Sequence, residues 1–227
     1  MTKWGMVIDL DKCAACQACT VACKIENNVP VKDADDIKRG RAIFWQDFLV
    51  RIEGTYPDLK AQYIPRPCMQ CEHPSCVQVC PVGATYKDDK NGGIVMQDYD
   101  RCIGCRYCMV ACPYGARYFN WEHPEFVETH AEYLNPRVRK RFKGIVEKCL
   151  FCTQRLQQAY VEGKPIGSDY PDGVTPACVQ TCTGWARYFG DLDDSTSTVA
   201  KLARSKRGFR LLEDLGNHPQ VYYLTEG

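Results

Sequence analysis

Sixteen of the 227 residues are cysteine, and their spacing constrains this chain more than any other feature. They form four groups of four with none left over. The first is Cys13, Cys16, Cys19 and Cys23, a C-x2-C-x2-C-x3-C run. The second is Cys68, Cys71, Cys76 and Cys80, spaced C-x2-C-x4-C-x3-C and followed by Pro81. The third, Cys102, Cys105, Cys108 and Cys112, repeats the first spacing and is followed by Pro113. The fourth, Cys149, Cys152, Cys178 and Cys182, opens its middle interval to 25 residues.

Disulfides, zinc and iron–sulfur clusters are the chemistries that use cysteine in such numbers. Disulfide frameworks belong mostly to short secreted chains. This chain is long, and only twelve residues precede Cys13, too few for a charged, apolar and cleavable leader. Zinc sites join two short knuckles per metal, which is not this pattern. The first and third groups match the run that binds four-iron clusters, in which the fourth cysteine ligates the other cluster of a pair. Cysteines at i, i+3 and i+6 wrap a tight loop around one cluster, and the next lies one helical turn on. The spacing therefore predicts four [4Fe–4S] clusters. A hydrophobic share of 45% and a charged share of 25% describe a globular chain, and no apolar run approaches the ~18 residues of a membrane span. A formal charge of +1 excludes a strong field for nucleic acid; four clusters at about −2 each would make the loaded protein acidic, near −7.

The groups sit in a repeat. Gly83-Ala84-Thr85-Tyr86, Gly115-Ala116-Arg117-Tyr118-Phe119 and Trp185-Ala186-Arg187-Tyr188-Phe189 follow groups two, three and four. Met6–Asp9 and Ile94–Gln97 precede groups one and three as short strands. Two such units make a ferredoxin-like module. Groups two and three are 21 residues apart and form one module; groups one and four, by elimination, form the other, with the first inserted into it. The predicted fold is α+β: residues 1–30 and 145–190 as an outer, discontinuous module, 64–120 as an inner one, 31–63 and 121–144 as insertions, and 191–227 as a C-terminal packing extension. The crossing rule gives four ligand sets: Cys13, Cys16, Cys19 with Cys182; Cys149, Cys152, Cys178 with Cys23; Cys68, Cys71, Cys76 with Cys112; and Cys102, Cys105, Cys108 with Cys80.

Elsewhere, Ala42–Ile52 reads as a hairpin or as a helix plus strand. Ser197–Leu202 and Phe209–Leu215 have helical spacing, with Gly216 able to close the latter, and Val221–Leu224 reads as a strand. His73 lies within group two, whose four cysteines leave it a loop role. Arg117 and Arg187 hold matching places in the repeat and serve either strand pairing or charge compensation at a cluster. Lys12, Arg101, Arg106 and Lys148 flank or enter the motifs and would offset cluster charge. The basic run Arg137, Arg139, Lys140, Arg141 and Lys143, with the aromatic stretch 113–127, is either a solvated face or a docking face. No phosphate-binding glycine loop, H-E-x-x-H or nucleophile elbow is present, so no catalytic residue is expected.

From Met6-Val7-Ile8-Asp9 through the four groups to about residue 190, the chain resembles the four-cluster electron-transfer subunits of molybdopterin oxidoreductases of the dimethyl sulfoxide reductase type. These include polysulfide, thiosulfate and tetrathionate reductases and respiratory arsenate reductase. Cys23 is followed by Lys24 and Cys182 by Thr183, where proline follows the second and third groups. The resemblance implies single-electron relay between a catalytic subunit carrying molybdenum or tungsten on a pterin and a membrane subunit that exchanges electrons with quinone. It implies a sulfur compound as the complex's substrate, with an arsenic oxyanion as the alternative. It also implies residence on the outer face of the cytoplasmic membrane through export with the partner, or else a cytoplasmic, membrane-associated place. A freestanding polyferredoxin, or the cluster arm of a hydrogenase or formate dehydrogenase, is the other class of reading.

Overall fold

The protein is described from a computed structural model, whose described residues are 2–126 and 132–226. Its elements are short because most of the chain wraps the cysteine groups. β1 (Trp4–Asp9) leads to α1 (Ala18–Glu26), which carries Cys19 and Cys23. α2 (Ala34–Lys38) begins at Asp33, whose carboxylate accepts from the Asp36 N–H at 2.8 Å. β2 (Asp47–Glu53) and β3 (Lys60–Arg66) form an antiparallel hairpin. α3 (Ser75–Gln78), β4 (Thr85–Asp88), β5 (Ile94–Gln97), α4 (Tyr107–Val110) and β6 (Tyr118–Phe119) follow. The second half contains β7 (Val146–Glu147), α5 (Thr153–Glu162), α6 (Ala177–Gln180), β8 (Arg187–Asp191), α7 (Thr198–Ala203), β9 (Gly208–Phe209) and β10 (Val221–Leu224).

Strand pairing follows the cysteine groups in a cycle. β4, after group two, pairs antiparallel with β5, before group three. β6, after group three, pairs with β7, before group four. β8, after group four, pairs antiparallel with β1, before group one. The short helices add a second pattern, in which α1 packs on α6 and α3 packs on α4. Helix contacts thus join groups one and four and groups two and three.

The sheet joining β8 and β1 is the largest, with order β8-β1-β10-β9. β1 is buried along its whole length, which fits a strand covered on both faces. Met6, Ile8, Phe189, Val221 and Tyr223 face a core shared with Phe151 and Trp4. Trp4 stacks on Phe189 with centroids 5.4 Å apart, and Phe151 meets the same ring edge-on. On the other face Val7, Leu192, Val199 and Leu224 pack together. Ser197 caps α7 by accepting the Ala200 N–H at 3.1 Å.

Three expectations need correction. The C-terminal segment is not packing laid over a finished module: β10 runs parallel to β1 and lies inside the sheet, between β1 and β9. Phe209–Leu215 is not a helix. Phe209 pairs with Tyr223 and lies against its ring, Leu212 takes a left-handed backbone (φ 47°), and only Glu213–Leu215 forms a 3-10 turn, closed by Gly216 at φ 70°. Of Ala42–Ile52, only Asp47 onward is regular; Ile43 and Trp45 are instead buried in the core. In the 121–144 insertion, 127–131 lie outside the described residues, as does the end of the aromatic stretch 113–127.

Candidate iron–sulfur centres

All sixteen cysteines are free thiols. Cys68, Cys71, Cys76 and Cys112 line one pocket, and Cys80, Cys102, Cys105 and Cys108 line another. Cys13 senses the charges of Cys19 and Cys182, while Cys16 Sγ lies 3.4 Å from the Thr183 hydroxyl, beside Cys182. Cys23 senses Cys149, Cys152 and Cys178. The Asn27 amide, one helical turn beyond Cys23, spans two thiols of that last group: its Nδ2 lies 3.7 Å from Cys23 Sγ and 3.6 Å from Cys152 Sγ.

Neighbouring sets touch electrostatically. Cys178 senses Cys19, Cys149 senses Cys68, and Cys108 senses Cys76. Packing agrees: Cys19, Cys23, Cys149 and Cys178 share one buried core with Cys68, Cys71 and Cys112 against it, and Cys76 and Cys108 share another, so the four sets are neighbours in turn. Cys16 and Cys105, one in the first set and one in the last, are the two exposed cysteines among the described residues.

The loops hold an unusual backbone. Ala15 and Gln17, Gln70, Gly104 and Arg106, and Phe151 and Cys152 all have positive φ between or beside the cysteines. Left-handed residues among right-handed ones turn successive N–H groups inward, making an anion-binding concavity of the kind found at iron–sulfur sites. Thr85 N donates to Cys80 Sγ at 3.5 Å, Phe151 N to Cys149 Sγ at 3.5 Å and Ala186 N to Cys182 Sγ at 3.4 Å. At Gly104 (φ 69°) a side chain is excluded outright, since a Cβ would lie 2.0 Å from the Gly144 carbonyl oxygen.

Acidity follows from burial and these donors. Burial pushes the thiols of Cys13, Cys23, Cys71, Cys112, Cys149 and Cys178 upward, and Cys152 up to about 12. Burial acts on Cys80 too, but N–H groups of Thr85, Val82 and Ala84 hold it below its ordinary value. The Thr183 hydroxyl and the Ala18 N–H lower Cys16. Metal binding requires thiolates, so a group bound at these positions would displace the thiol protons to solvent.

The donor set fits four-iron clusters better than zinc. Among the described residues, no three Cys, His, Asp or Glu side chains converge tightly enough for a single metal ion. A tetrahedral zinc gathers sulfurs around one point with bonds of about 2.3 Å. A four-iron cluster takes one thiolate per iron and holds them farther apart. Soft thiolates, inward N–H groups and open quartets together match the polynuclear group.

Other residues singled out in the sequence have divided roles. Lys148 is fully buried, and its Nζ donates to the Val95 carbonyl and, at 2.9 Å, to the Cys149 carbonyl. Gln70, which the sequence did not single out, braces the same place: its Nε2 donates to the Cys149 carbonyl at 2.9 Å and its Oε1 accepts from Val95 N at 2.8 Å. Lys12 donates to the Tyr188 hydroxyl, Arg101 pairs with Asp98, and Arg106 lies over Phe119 and Trp121. His73 meets His218 edge-on, in a loop contact. Asn27 and Gln70 carried one faint signal, a polar side chain at helical or loop distance from a cysteine.

The basic run is not one docking face. Arg141 is buried, pairs with Glu147, and donates to the Asn27 and Asn28 carbonyls at 2.6 and 2.7 Å. Its guanidinium also lies over Trp45. Arg139 is exposed and pairs with Asp100. Tyr114, Ala116 and Asn120 of the aromatic stretch are buried as well. A run of like charges in sequence has been split between core and surface because the chain turns inward at Arg141.

Two family profiles, each described as a 4Fe-4S dicluster domain, match the chain. One covers residues 12–84 and again 101–186; the other covers 59–140. This chain belongs to the 4Fe-4S dicluster family of iron–sulfur subunits. Two dicluster domains imply four [4Fe–4S] clusters in this chain, and together with the relatives that follow they make it the electron-transfer subunit of a reductase complex. It is 48% identical to the menaquinone reductase iron–sulfur cluster-binding subunit of Nitratidesulfovibrio vulgaris, over 98% of this chain and 89% of that protein. It is 44% identical to a selenate reductase subunit of Mesobacillus selenatarsenatis, over 98% of this chain and 72% of that protein. It is 35% identical to the arsenate respiratory reductase iron–sulfur subunit of a Shewanella species, over 98% and 96%. No helix among the described residues is long and apolar enough to cross a membrane.

Proposed function

We propose that this subunit relays single electrons between a molybdopterin catalytic subunit and a membrane subunit linked to quinone, with the inner module inserted in the outer one. The observation that carries the reading is the succession of thiol sets through two buried clusters of side chains, between exposed Cys16 and exposed Cys105. Cys13, Cys16, Cys19 and Cys182 hold the first cluster, and Cys149, Cys152, Cys178 and Cys23 the second. Cys68, Cys71, Cys76 and Cys112 hold the third, and Cys102, Cys105, Cys108 and Cys80 the fourth. When bound, each cluster supplies a one-electron redox couple. The chain's own residues fix the thiolates, aim N–H groups at the sulfurs and shield the inner sets from water.

Both ends suit docking. Val21 and Ile25 on α1, and Trp185 near Cys182, are exposed in the region of Cys16. Ile103, Tyr107 and Val110 are exposed around Cys105. Exposed apolar and aromatic side chains at both ends of the series are the surfaces on which we place the two partners. The menaquinone named for one relative supports a menaquinone-linked membrane partner. Relatives are named for selenate and arsenate as well as for sulfite and tetrathionate. The substrate therefore belongs to a class of sulfur, selenium and arsenic compounds, within which the catalytic partner chooses. We place the complex on the outer face of the cytoplasmic membrane.

Anaerobic analysis of the purified subunit should find about 16 iron and 16 sulfide per chain; zinc in their place sinks the proposal. Cys112→Ser should alter the paramagnetic signal of the cluster held by Cys68, Cys71 and Cys76. A change confined to the cluster of Cys102, Cys105 and Cys108 defeats the crossed ligation.

A further inference from the structure

Among the described residues three buried cations have no carboxylate: Lys148, whose ammonium is held by the Val95 and Cys149 carbonyls, and the arginines Arg117 and Arg187. Arg117 and Arg187 are 4% and 5% exposed. Among the described residues, Arg141 answers its burial with Glu147, whereas neither of these arginines reaches an Asp or Glu. An unpaired buried charge is strongly disfavoured, so something else must balance it.

Thiols lie beside both arginines. Arg187 Nη2 donates to Cys19 Sγ at 3.5 Å, and Nη1 lies 3.6 Å from Met6 Sδ. Its foremost electrostatic partners are Cys178 and Cys19. Arg117 Nη1 donates to Gln97 Oε1 at 2.9 Å and Thr85 Oγ1 at 3.2 Å, and Arg117 lines one pocket with Cys68, Cys71, Cys76 and Cys112. Its foremost electrostatic partners are Cys76 and Cys108. Each guanidinium therefore faces thiols of two different sets. The two arginines also share a register, each five residues past the last cysteine of its group; Asn28 and Thr85 stand at that place after the other two groups.

We propose that Arg117 and Arg187 are paired positioning residues, one for each two neighbouring clusters, whose fixed charge stabilises the reduced clusters and raises their midpoint potentials. Arg187 serves the sets of Cys13, Cys16, Cys19, Cys182 and of Cys149, Cys152, Cys178, Cys23. Arg117 serves the remaining two. Reduction adds one negative charge to a cluster, and a cation held nearby in a low-dielectric interior favours that form. Standing between two sets, the same cation also softens the repulsion between neighbours that are both reduced. Thr85 and Gln97 hold Arg117 in place, as Met6 and Cys19 hold Arg187.

This inference rests on the ligand sets proposed above, and its test reads separately. Redox titration of the cluster-loaded protein, followed by paramagnetic resonance, is compared for Arg117→Gln, Arg187→Gln and the two Lys variants. Arg187→Gln should lower the midpoint potentials of its two clusters and leave the other two unmoved; Arg117→Gln should do the converse. Lys at either place should hold the potentials near those of the wild type. Unchanged potentials in Gln variants with full iron, or one equal shift of all four, overturn the inference. If a Gln variant loses iron, the Lys variant decides: recovered iron and potential support the role of charge, and a Lys variant as poor in iron as the Gln variant refutes it. A low iron count in the wild type would instead fail the ligand assignment.

Discussion

The surroundings of the second and third cysteine groups and those of the first and fourth solve the same problem by different means. Groups two and three are near in sequence, and one four-residue ribbon, β4 with β5, is enough to bring them together. Groups one and four are far apart. Their closure takes the four-stranded sheet, and it recruits β10 from the chain end and the buried Arg141–Glu147 pair. The difference is entropic. Bringing distant segments together costs more loop closure than joining near ones, so more buried contact must hold the distant pair.

The sharpest way to break this contrast is at Arg141. Arg141→Ala leaves Glu147 buried and unpaired and frees the Asn27 and Asn28 carbonyls beside Cys23. It should cost about 3–5 kcal/mol. In anaerobic denaturant unfolding, iron should leave the clusters of Cys13 and Cys149 first; simultaneous loss from all four would erase the distinction.

A smaller, paired test compares the two regions directly. Tyr223 donates to the Pro65 carbonyl at 2.8 Å within the large sheet's core. Tyr223→Phe strands that buried acceptor and should cost about 1–3 kcal/mol. Thr85 bonds Gln97 at 2.7 Å beside the inner ribbon. Because Arg117 still satisfies Gln97, Thr85→Val should cost only about 0.5–1.5 kcal/mol. Equal losses, measured by the same unfolding, would mean that the two regions form one cooperative unit.

The smallest effect is electrostatic. Burial would raise the Glu72 pKa, but Lys3 beside β1 and Lys87 on β4 together hold it below the usual carboxylate range. A lowered folded-state pKa stabilises above the unfolded value, near 4.5, and that contribution is lost as the pH falls through the folded value. Glu72→Gln should remove under about 1 kcal/mol at neutral pH and flatten the acid limb of the stability curve. An unchanged acid limb would show that Glu72 does not bridge the two regions.

How much of this was legible beforehand depends on distance along the chain. The cysteine quartets, the strands at Met6–Asp9, Ile94–Gln97 and Val221–Leu224, and the matching places of Arg117 and Arg187 were readable because local spacing alone defines them. Sequence order likewise suggested that groups one and four belong together. Tertiary structure alone decided that β6 and β7 join group three to group four, that β10 completes the large sheet, and that Arg141 turns inward while Arg139 remains at the surface. It alone revealed Asn27 and Gln70 beside the thiol sets. A cluster ligand announces itself by its interval to the next cysteine, because a loop around a metal group is a short-range object. A strand partner or a buried counter-charge has no such interval, since which distant segments meet is set by the packing of the whole chain.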